Sequence, residues 1–398
     1  MMTAQFQKLL GSRGERRSEL ASRRRHPSGR AVVHTEPLPI SYYVIALVLT
    51  VMVPLGLVMV LSSSSITQFQ SGYSPWRFFQ RQVIWAIAGL AVLVAALRTN
   101  LRKIRILCRS YWLVAMSLML VPFIPGLGIS VRGARAWVGI GPLVFQPSEF
   151  LKLAVLLVVA DVITRRTSKM GEFRQVMVPC LFVIGLAAGL MVAQNDLGSA
   201  IVVSCIGLSV LFLGGAPFLP MVAVSGGMAG AGMAFALSTP YRRERWTSFL
   251  DLASTRDGGG YQTWQSLLSI SNGGFTGSGV GAGSGKWGYV PLAHSDFIFA
   301  VLAEELGFLG VFAVLGAYVA LVWAGTNVVL ASRDRFATLV AGGVVAWIGI
   351  QAIINIGGVV GLIPVTGLTL PFLSYGGSSL LTMMAAGGLL LNVARMGR

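Results

Sequence analysis

Six of the 14 carboxylates, Glu149, Asp161, Asp196, Asp296, Glu304 and Glu305, fall within or at the mouth of long apolar runs. An ionisable group in such a place is costly to bury and marks a functional hypothesis. Asp296 directly precedes Phe297-Ile298-Phe299, beside His294, at the end of a polar segment that also carries Arg242, Arg243, Arg245, Arg256 and Lys286. A carboxylate facing a basic, half-buried cleft would combine a general base with an anion site. The plainer role is to cap the helix that begins there, because Asp is a preferred N-cap residue, and the residues alone favour the cap. Glu304 and Glu305 lie about 12 Å farther along that helix at its ~1.5 Å rise, too far to pair with Asp296.

Gln146-Pro147-Ser148-Glu149 has the form of a helix start, with Pro in the first turn and Glu near N3. Lys152, three residues on, could neutralise Glu149 or bind an anionic substrate from inside a bundle, and spacing does not separate the two. Gly277-Ser278-Gly279-Val280-Gly281-Ala282 imitates a dinucleotide fingerprint. It follows no strand and opens no βαβ unit, so its glycines read as turn formers. Cys108, Cys180 and Cys205 show no metal-ligand spacing and no disulfide framework. His26 and His34 lie in the N-terminal tail, which leaves His294 alone and argues against a histidine-rich metal site.

The elements that must position these residues are membrane helices. Of the 398 residues 55% are apolar and only 11% charged, a balance that fits lipid as solvent. In lipid every backbone N–H and C=O must be paired internally, and long unbroken apolar runs choose helices over a barrel. Spans are expected at 40–62, 82–98, 110–124, 147–164, 176–194, 197–214, 218–238, 297–330, 336–356 and 376–394. These make an all-α integral membrane protein of about ten helices, with a long extracytoplasmic loop, 238–295, between the seventh and eighth. Residues 1–38 form a basic tail, expected to be disordered cytoplasmic chain and chiefly an orientation signal, and 39–398 the membrane domain. A long basic stretch ahead of the first span reads as a signal anchor rather than a cleaved leader.

The net charge of +17 would suggest nucleic acid in a soluble chain, but the cations fall in bursts between spans. With both termini cytoplasmic, 21 of the 31 Lys/Arg lie inside and nine outside, with Lys152 in a span, as the positive-inside rule requires. Two segments break the regular pattern: the outer loop and the Gly/Pro-rich stretch 357–379. In the loop, Tyr261, Trp264, Leu267 and Leu268 share one face of a short helix, expected to lie in the interface or to re-enter against the bundle.

The stretch from Asn355 to Ser379, with Gly361-Leu362-Ile363-Pro364-Val365-Thr366-Gly367-Leu368-Thr369-Leu370-Pro371 and Ser374-Tyr375-Gly376-Gly377-Ser378-Ser379, resembles the signature of the SEDS family of peptidoglycan glycosyltransferases. Further blocks match in order: Gly133-Ala134-Arg135-Ala136-Trp137 with Gln146-Pro147-Ser148-Glu149 and Lys152; Gln194-Asn195-Asp196-Leu197-Gly198; and His294-Ser295-Asp296-Phe297-Ile298-Phe299 with Glu304-Glu305-Leu306-Gly307. The resemblance spans roughly 40–395 and implies ten spans and polymerisation of lipid II into glycan strands at the outer face of the cytoplasmic membrane. It maps the catalytic aspartate to Asp296 and substrate-binding groups to Arg81, Arg135, Glu149, Lys152 and Asp196, to which Lys286 of the loop is added.

The implied partners are lipid II, an undecaprenyl-pyrophosphate-linked glycan, a class B penicillin-binding protein and other division proteins, with no nucleic acid. A divalent cation, Mg²⁺ or Mn²⁺, would serve beside the cationic residues, although no dedicated metal cage is visible. Gly367-Leu368-Thr369-Leu370-Pro371 resembles the division members more than the elongation members, which have Pro at the Thr369 position, so the septum is the expected location. Leu292 and Asn195 depart from the family's usual Glu and Pro. The competing classes are a lipid II flippase and a non-enzymatic division scaffold.

Overall fold

The computed structural model describes residues 37–131, 133–141, 143–169, 172–238 and 240–396. The expectations for residues 1–36 lie outside them. Long apolar runs become helices α1 (Ile40–Gln70), α2 (Arg77–Arg98), α3 (Leu101–Leu118), α4 (Pro147–Arg165), α5 (Phe173–Ala193), α6 (Leu197–Leu213) and α7 (Phe218–Leu237). Two shorter helices, α8 (Pro240–Leu250) and α9 (Tyr261–Asn272), occupy the long loop, followed by α10 (Ile298–Ala331), α11 (Arg335–Val359) and α12 (Gly377–Met396). Among the described residues eight helices are long and apolar enough to cross a membrane: α1, α2, α3, α5, α7, α10, α11 and α12. The other two expected spans, α4 and α6, also form as helices; α6 has 17 residues, and α4 carries Glu149, Lys152 and Asp161.

Helix α4 explains itself by its position. Almost every residue from Pro147 to Asp161 is buried, so it has no lipid-facing side and is packed by α3, α5, α6, α11 and α12. A helix that is apolar all round belongs in the centre of a bundle, and here its few charges are enclosed with it. Helix α12 is almost as deeply buried and packs chiefly on α2, where a side chain at Gly388 would press on the Leu93 carbonyl and one at Gly377 on Trp85.

Helix α1 runs eight residues beyond its expected end. Its Ser63 and Ser64 hydroxyls bond to the carbonyls of Met59 and Val60, which lets a serine run continue the helix in an apolar setting. Helix α3 begins nine residues early, capped by Asn100 through the Arg102 amide, and its first turns carry Arg102, Lys103 and Arg105. The segment between α3 and α4 folds into an antiparallel meander, β1 (Gly128–Val131), β2 (Ala134–Ile140) and β3 (Leu143–Phe145), with Gly128 opposite Val138 and Val138 opposite Phe145. Short strands of mixed polarity carry little periodic signal, and none was expected between the spans 110–124 and 147–164.

Helix α9 forms as expected, but its buried face is Ser266 and Ser269, while Leu268 is exposed. The Ser266 hydroxyl donates to the Val359 carbonyl at the end of α11, so polar pairing rather than the apolar stripe decides which face turns inward. Helix α10 is interrupted at Gly307 (φ 65°, ψ −164°). The Glu304 and Glu305 carbonyls, which lose their helical partners there, accept from the amides of Ser278 and Gly279, and the freed amides of Phe308 and Leu309 donate to Gly274 and Phe275. The long loop thus completes the helix it precedes.

Candidate active site

Asp296 does not cap α10. The helix starts at Ile298, its N-cap is Phe297, and no side chain closes that end. Asp296 instead sits half-buried in a turn whose three successive carbonyls are each held: His294 by the Tyr375 amide at 2.9 Å, Ser295 by the Ser374 hydroxyl at 2.7 Å and Asp296 by Asn355 Nδ2 at 2.9 Å. The Ser295 hydroxyl donates to Asp296 Oδ1 at 3.2 Å. On the other side passes Gly367 (φ 75°), where a Cβ would lie 3.8 Å from Asp296 Oδ2. A half-buried carboxylate with a fixed main chain can accept a proton from a ligand without spending itself on a helix end.

Among the described side chains, two cations of α2 stand beside this turn. Phe78 stacks on His294 with ring centroids 4.7 Å apart and lies 4.7 Å from the Tyr375 ring, and the Arg81 guanidinium acts on the Tyr375 phenol. Burial pushes the Tyr375 phenol up, partly offset by the Arg81 and Arg77 guanidiniums, and burial pushes His294 down to about 4. His294 is therefore neutral near pH 7 and serves as an aromatic wall. Of the loop cations, Arg243 is exposed, Arg256 is paired with Asp257 at the surface, and Lys286 is buried.

Lys286 points into the bundle, where its Nζ lies 3.2 Å from Glu305 Oε1. Ser62 of α1 donates to both Glu305 oxygens, at 2.6 and 2.7 Å. Glu304 accepts from the Ser284 amide and hydroxyl and the Gly285 amide, at 2.7, 2.7 and 3.0 Å. Counting along the helix sets these two glutamates away from Asp296, but the loop that carries Asp296 folds down to them. They fasten the loop to the bundle.

Glu149 and Lys152 form a buried ion pair, Nζ to Oε1 2.8 Å. Lys152 is 0% exposed and also donates to Gln351 Oε1 at 3.3 Å, which accepts from Trp347 Nε1 at 2.8 Å. Gln351 Nε2 donates to the Thr369 carbonyl at 2.9 Å, and the Thr369 and Ser379 hydroxyls are 2.8 Å apart. Glu149 Oε2 is buried without a hydrogen-bond partner. The structure shows the neutralising reading of the Glu149–Lys152 spacing and joins the pair to the signature segment through Gln351.

Asp196 caps α6 through the Ser199 amide (Oδ1, 3.0 Å) and accepts from Gln146 Nε2 (2.8 Å) and the Ser148 hydroxyl (3.3 Å) on Oδ2. Arg135 lies on β2 with an exposed side chain, its amide bonded to the Gln194 carbonyl at 3.0 Å. Asp196 and Arg135 thus organise the junction of the meander with the α5–α6 turn. Asn195 in that turn has φ 63°, which proline cannot adopt and asparagine tolerates, and Leu292 before the Asp296 turn has φ 56°. Both departures from the family pattern therefore fall on left-handed backbone. The sequence reading gave no role to Asn355, Gln351, Ser374, Tyr375 or Ser62; polar groups four apart on the apolar α11 were the signal available for the first two.

Among the described residues no group of three or more His, Cys, Asp and Glu side chains stands close enough to cage a metal.

An α-helical membrane bundle whose charged centre is laced to a Gly/Pro-rich segment and faces a polar turn defines a class: a multi-pass protein with a site at one end of the bundle. Residues 42–398 match the family of cell-cycle proteins named for FtsW, RodA and SpoVE, and the chain belongs to this family, the SEDS proteins. It is 36% identical over 359 residues to stage V sporulation protein E of Bacillus subtilis, covering 89% of this chain and 97% of that one. It is also 36% identical over 355 residues to the probable peptidoglycan glycosyltransferase FtsW of Geobacter metallireducens, covering 88% and 94%. Among solved structures it is similar to a chain of a peptidoglycan synthase complex that coordinates polymerization and crosslinking (TM-score 0.73, 30% identity, covering 89% and 98%). It is likewise similar to the rod shape determining protein RodA of Thermus thermophilus (TM-score 0.65, 29% identity, covering 88% and 95%).

Proposed function

We propose that this chain polymerises lipid II into glycan strands at the outer face of the cytoplasmic membrane during cell division, with Asp296 as general base. Relatives that cover most of their length with this chain carry the name probable peptidoglycan glycosyltransferase, which supports the reaction class. The observation that supports the residue assignment is that the helix beginning at Ile298 has Phe297, not Asp296, at its cap, while the main chain at His294, Ser295 and Asp296 is pinned at three successive carbonyls. Asp296 would take the proton of the acceptor sugar's 4-hydroxyl. That oxygen attacks the anomeric carbon of the growing strand, the bond from that carbon to the pyrophosphate oxygen breaks, and undecaprenyl pyrophosphate leaves with inversion. Arg81 and Arg77, which act on the neighbouring Tyr375 phenol, would offset the charge of the departing group.

A class B penicillin-binding protein is the proposed partner, supported by the likeness to a chain of a synthase complex. The FtsW-named relatives and the Gly367-Leu368-Thr369-Leu370-Pro371 wording support division over elongation, which a fluorescent fusion at the septum would test. The deciding experiment is Asp296→Asn in the purified complex with labelled lipid II. Polymerisation should fall by ~10²–10⁴-fold with partner binding unchanged, the range typical of general-base loss. A flippase or scaffold predicts no such selective loss, and glycan ladders of normal intensity from this variant would sink the assignment.

A further inference from the structure

Two side-chain amides stand one turn apart on α11, Gln351 and Asn355, and therefore on one face. Each donates into the signature segment: Gln351 Nε2 to the Thr369 carbonyl at 2.9 Å and Asn355 Nδ2 to the Leu368 carbonyl at 2.6 Å. Successive rungs of the helix thus hold successive carbonyls of the segment. The second hydrogen of the Asn355 amide goes to the Asp296 carbonyl at 2.9 Å. One NH₂ group, with two hydrogens to give, joins α11, the segment beside Asp296 and the Asp296 main chain.

The orientation of that amide is fixed by chemistry. Asn355 is 5% exposed, and its Oδ1 is buried with no hydrogen-bond partner. A flipped amide would place that oxygen against two carbonyl oxygens. An orphaned acceptor is costly, so the residue is held in place by what its two donors do. Asp296 needs such a hold, because α10 begins two residues later and no helical ladder fixes it. Gly367, whose Cβ would sit 3.8 Å from Asp296 Oδ2, directly precedes Leu368, so the same amide sets the distance between the carboxylate and its wall.

We infer that Asn355, seconded by Gln351, is the positioning residue of Asp296 and sets the carboxylate's place for proton abstraction, an inference that rests on Asp296 being the general base. Gln351 adds rigidity from below, since its Oε1 is held by Trp347 and Lys152.

The test uses the full chain with its transpeptidase partner and labelled lipid II, and compares Asn355→Ala, Asn355→Ser and each of them with Asp296→Glu. Asn355→Ala should lower kcat by ~10–100-fold with KM within about threefold, since a displacement near 1 Å can cost that much. Asn355→Ser, which keeps one donor, should recover part of the loss. With Asp296→Glu, where the carboxylate is already displaced, adding Asn355→Ala should cost clearly less than it does alone. A merely structural amide would lower the thermal midpoint and multiply its loss equally in both backgrounds. That equal loss, or kcat within about twofold of wild type for Asn355→Ala, overturns the inference. If Asn355→Ala fails to fold, Asn355→Ser carries the same comparison. An active Asp296→Asn overturns the general-base reading instead, and with it this one, whatever the Asn355 variants do.

Discussion

At the scale of single residues, burial and pairing decide which charged groups are available for chemistry. Lys152 is enclosed and bonded to Glu149 and Gln351, so Lys152→Ala should leave a carboxylate buried without its cation. Breaking a buried pair from one side costs ~3–5 kcal/mol, whereas replacing both partners by neutral groups of like size is often nearly neutral. Lys152→Ala should therefore insert but show a lowered thermal midpoint and impaired polymerisation, and Lys152→Met with Glu149→Gln should restore most of the midpoint. Wild-type polymerisation by Lys152→Ala would reduce Lys152 to a counter-ion. His294 makes a pH-dependent contribution of known sign. Burial lowers it from its ordinary value of 6.5 to about 4, so the stability it contributes is fully present above pH 6.5 and is lost as pH falls toward 4. His294→Phe, which keeps the stack on Phe78, should flatten that part of the midpoint-versus-pH curve. The sequence made Asp296 legible as a candidate but its residue types favoured a cap that does not form, because a cap depends on backbone angles at Phe297 that side-chain types do not encode.

At the scale of elements, the helix boundaries were legible to within a few residues wherever hydropathy alone sets them, as at α4 through α7 and α10 through α12. They were less so where polar side chains serve the helix, as in the serine run that ends α1 and the arginine-bearing start of α3. The break in α10 was invisible for a different reason. Leu306-Gly307-Phe308 is ordinary in a membrane helix, and what interrupts it is a loop 30 residues upstream that exchanges four backbone hydrogen bonds with it. A Cβ at Gly307 would collide with the Gly277 amide, and one at Gly277 with the Glu305 carbonyl, both on positive-φ backbone. Gly307→Ala should thus cost ~1–3 kcal/mol from backbone conformation alone, with the collision in addition. The expected result is a lowered thermal midpoint; an unchanged midpoint would mean that α10 can straighten and release the loop. Because Glu304, Glu305 and Lys286 sit beside this exchange, the same variant should also loosen the loop that leads to Asp296, read as faster protease cleavage between Ser278 and Trp287.

For the whole molecule the question is which end of the bundle faces which compartment. One end gathers Gln82, Gln146, Asp196, Asp296 and Ser378. The other gathers Asp161 with Arg105, Arg109 and Arg165 around it, Asn392 bonded to the carbonyls of Ala96 and Thr99, and Arg335 bonded to that of Gly214. The 19-residue α4 runs from the first to the second and spans about 27 Å at its ~1.5 Å rise, close to the apolar thickness of a bilayer. With the tails counted, 21 of the 31 Lys/Arg fall on the side of the second end, and by the positive-inside rule that end would face the cytoplasm and the Asp296 end the outside. The proposed polymerisation of a lipid-linked substrate outside would require that orientation. Side-specific labelling tests it directly, because Cys108 and Cys180 are buried and Cys205 is partly so, which keeps the native background low. Ser71→Cys, exposed after α1, should react in intact cells with a membrane-impermeant maleimide, and Ala331→Cys, exposed at the end of α10, should react only after the membrane is opened. The reverse pattern would put Asp296 on the cytoplasmic side and exclude polymerisation outside; labelling of both in intact cells would mean that one of the helices between them does not cross.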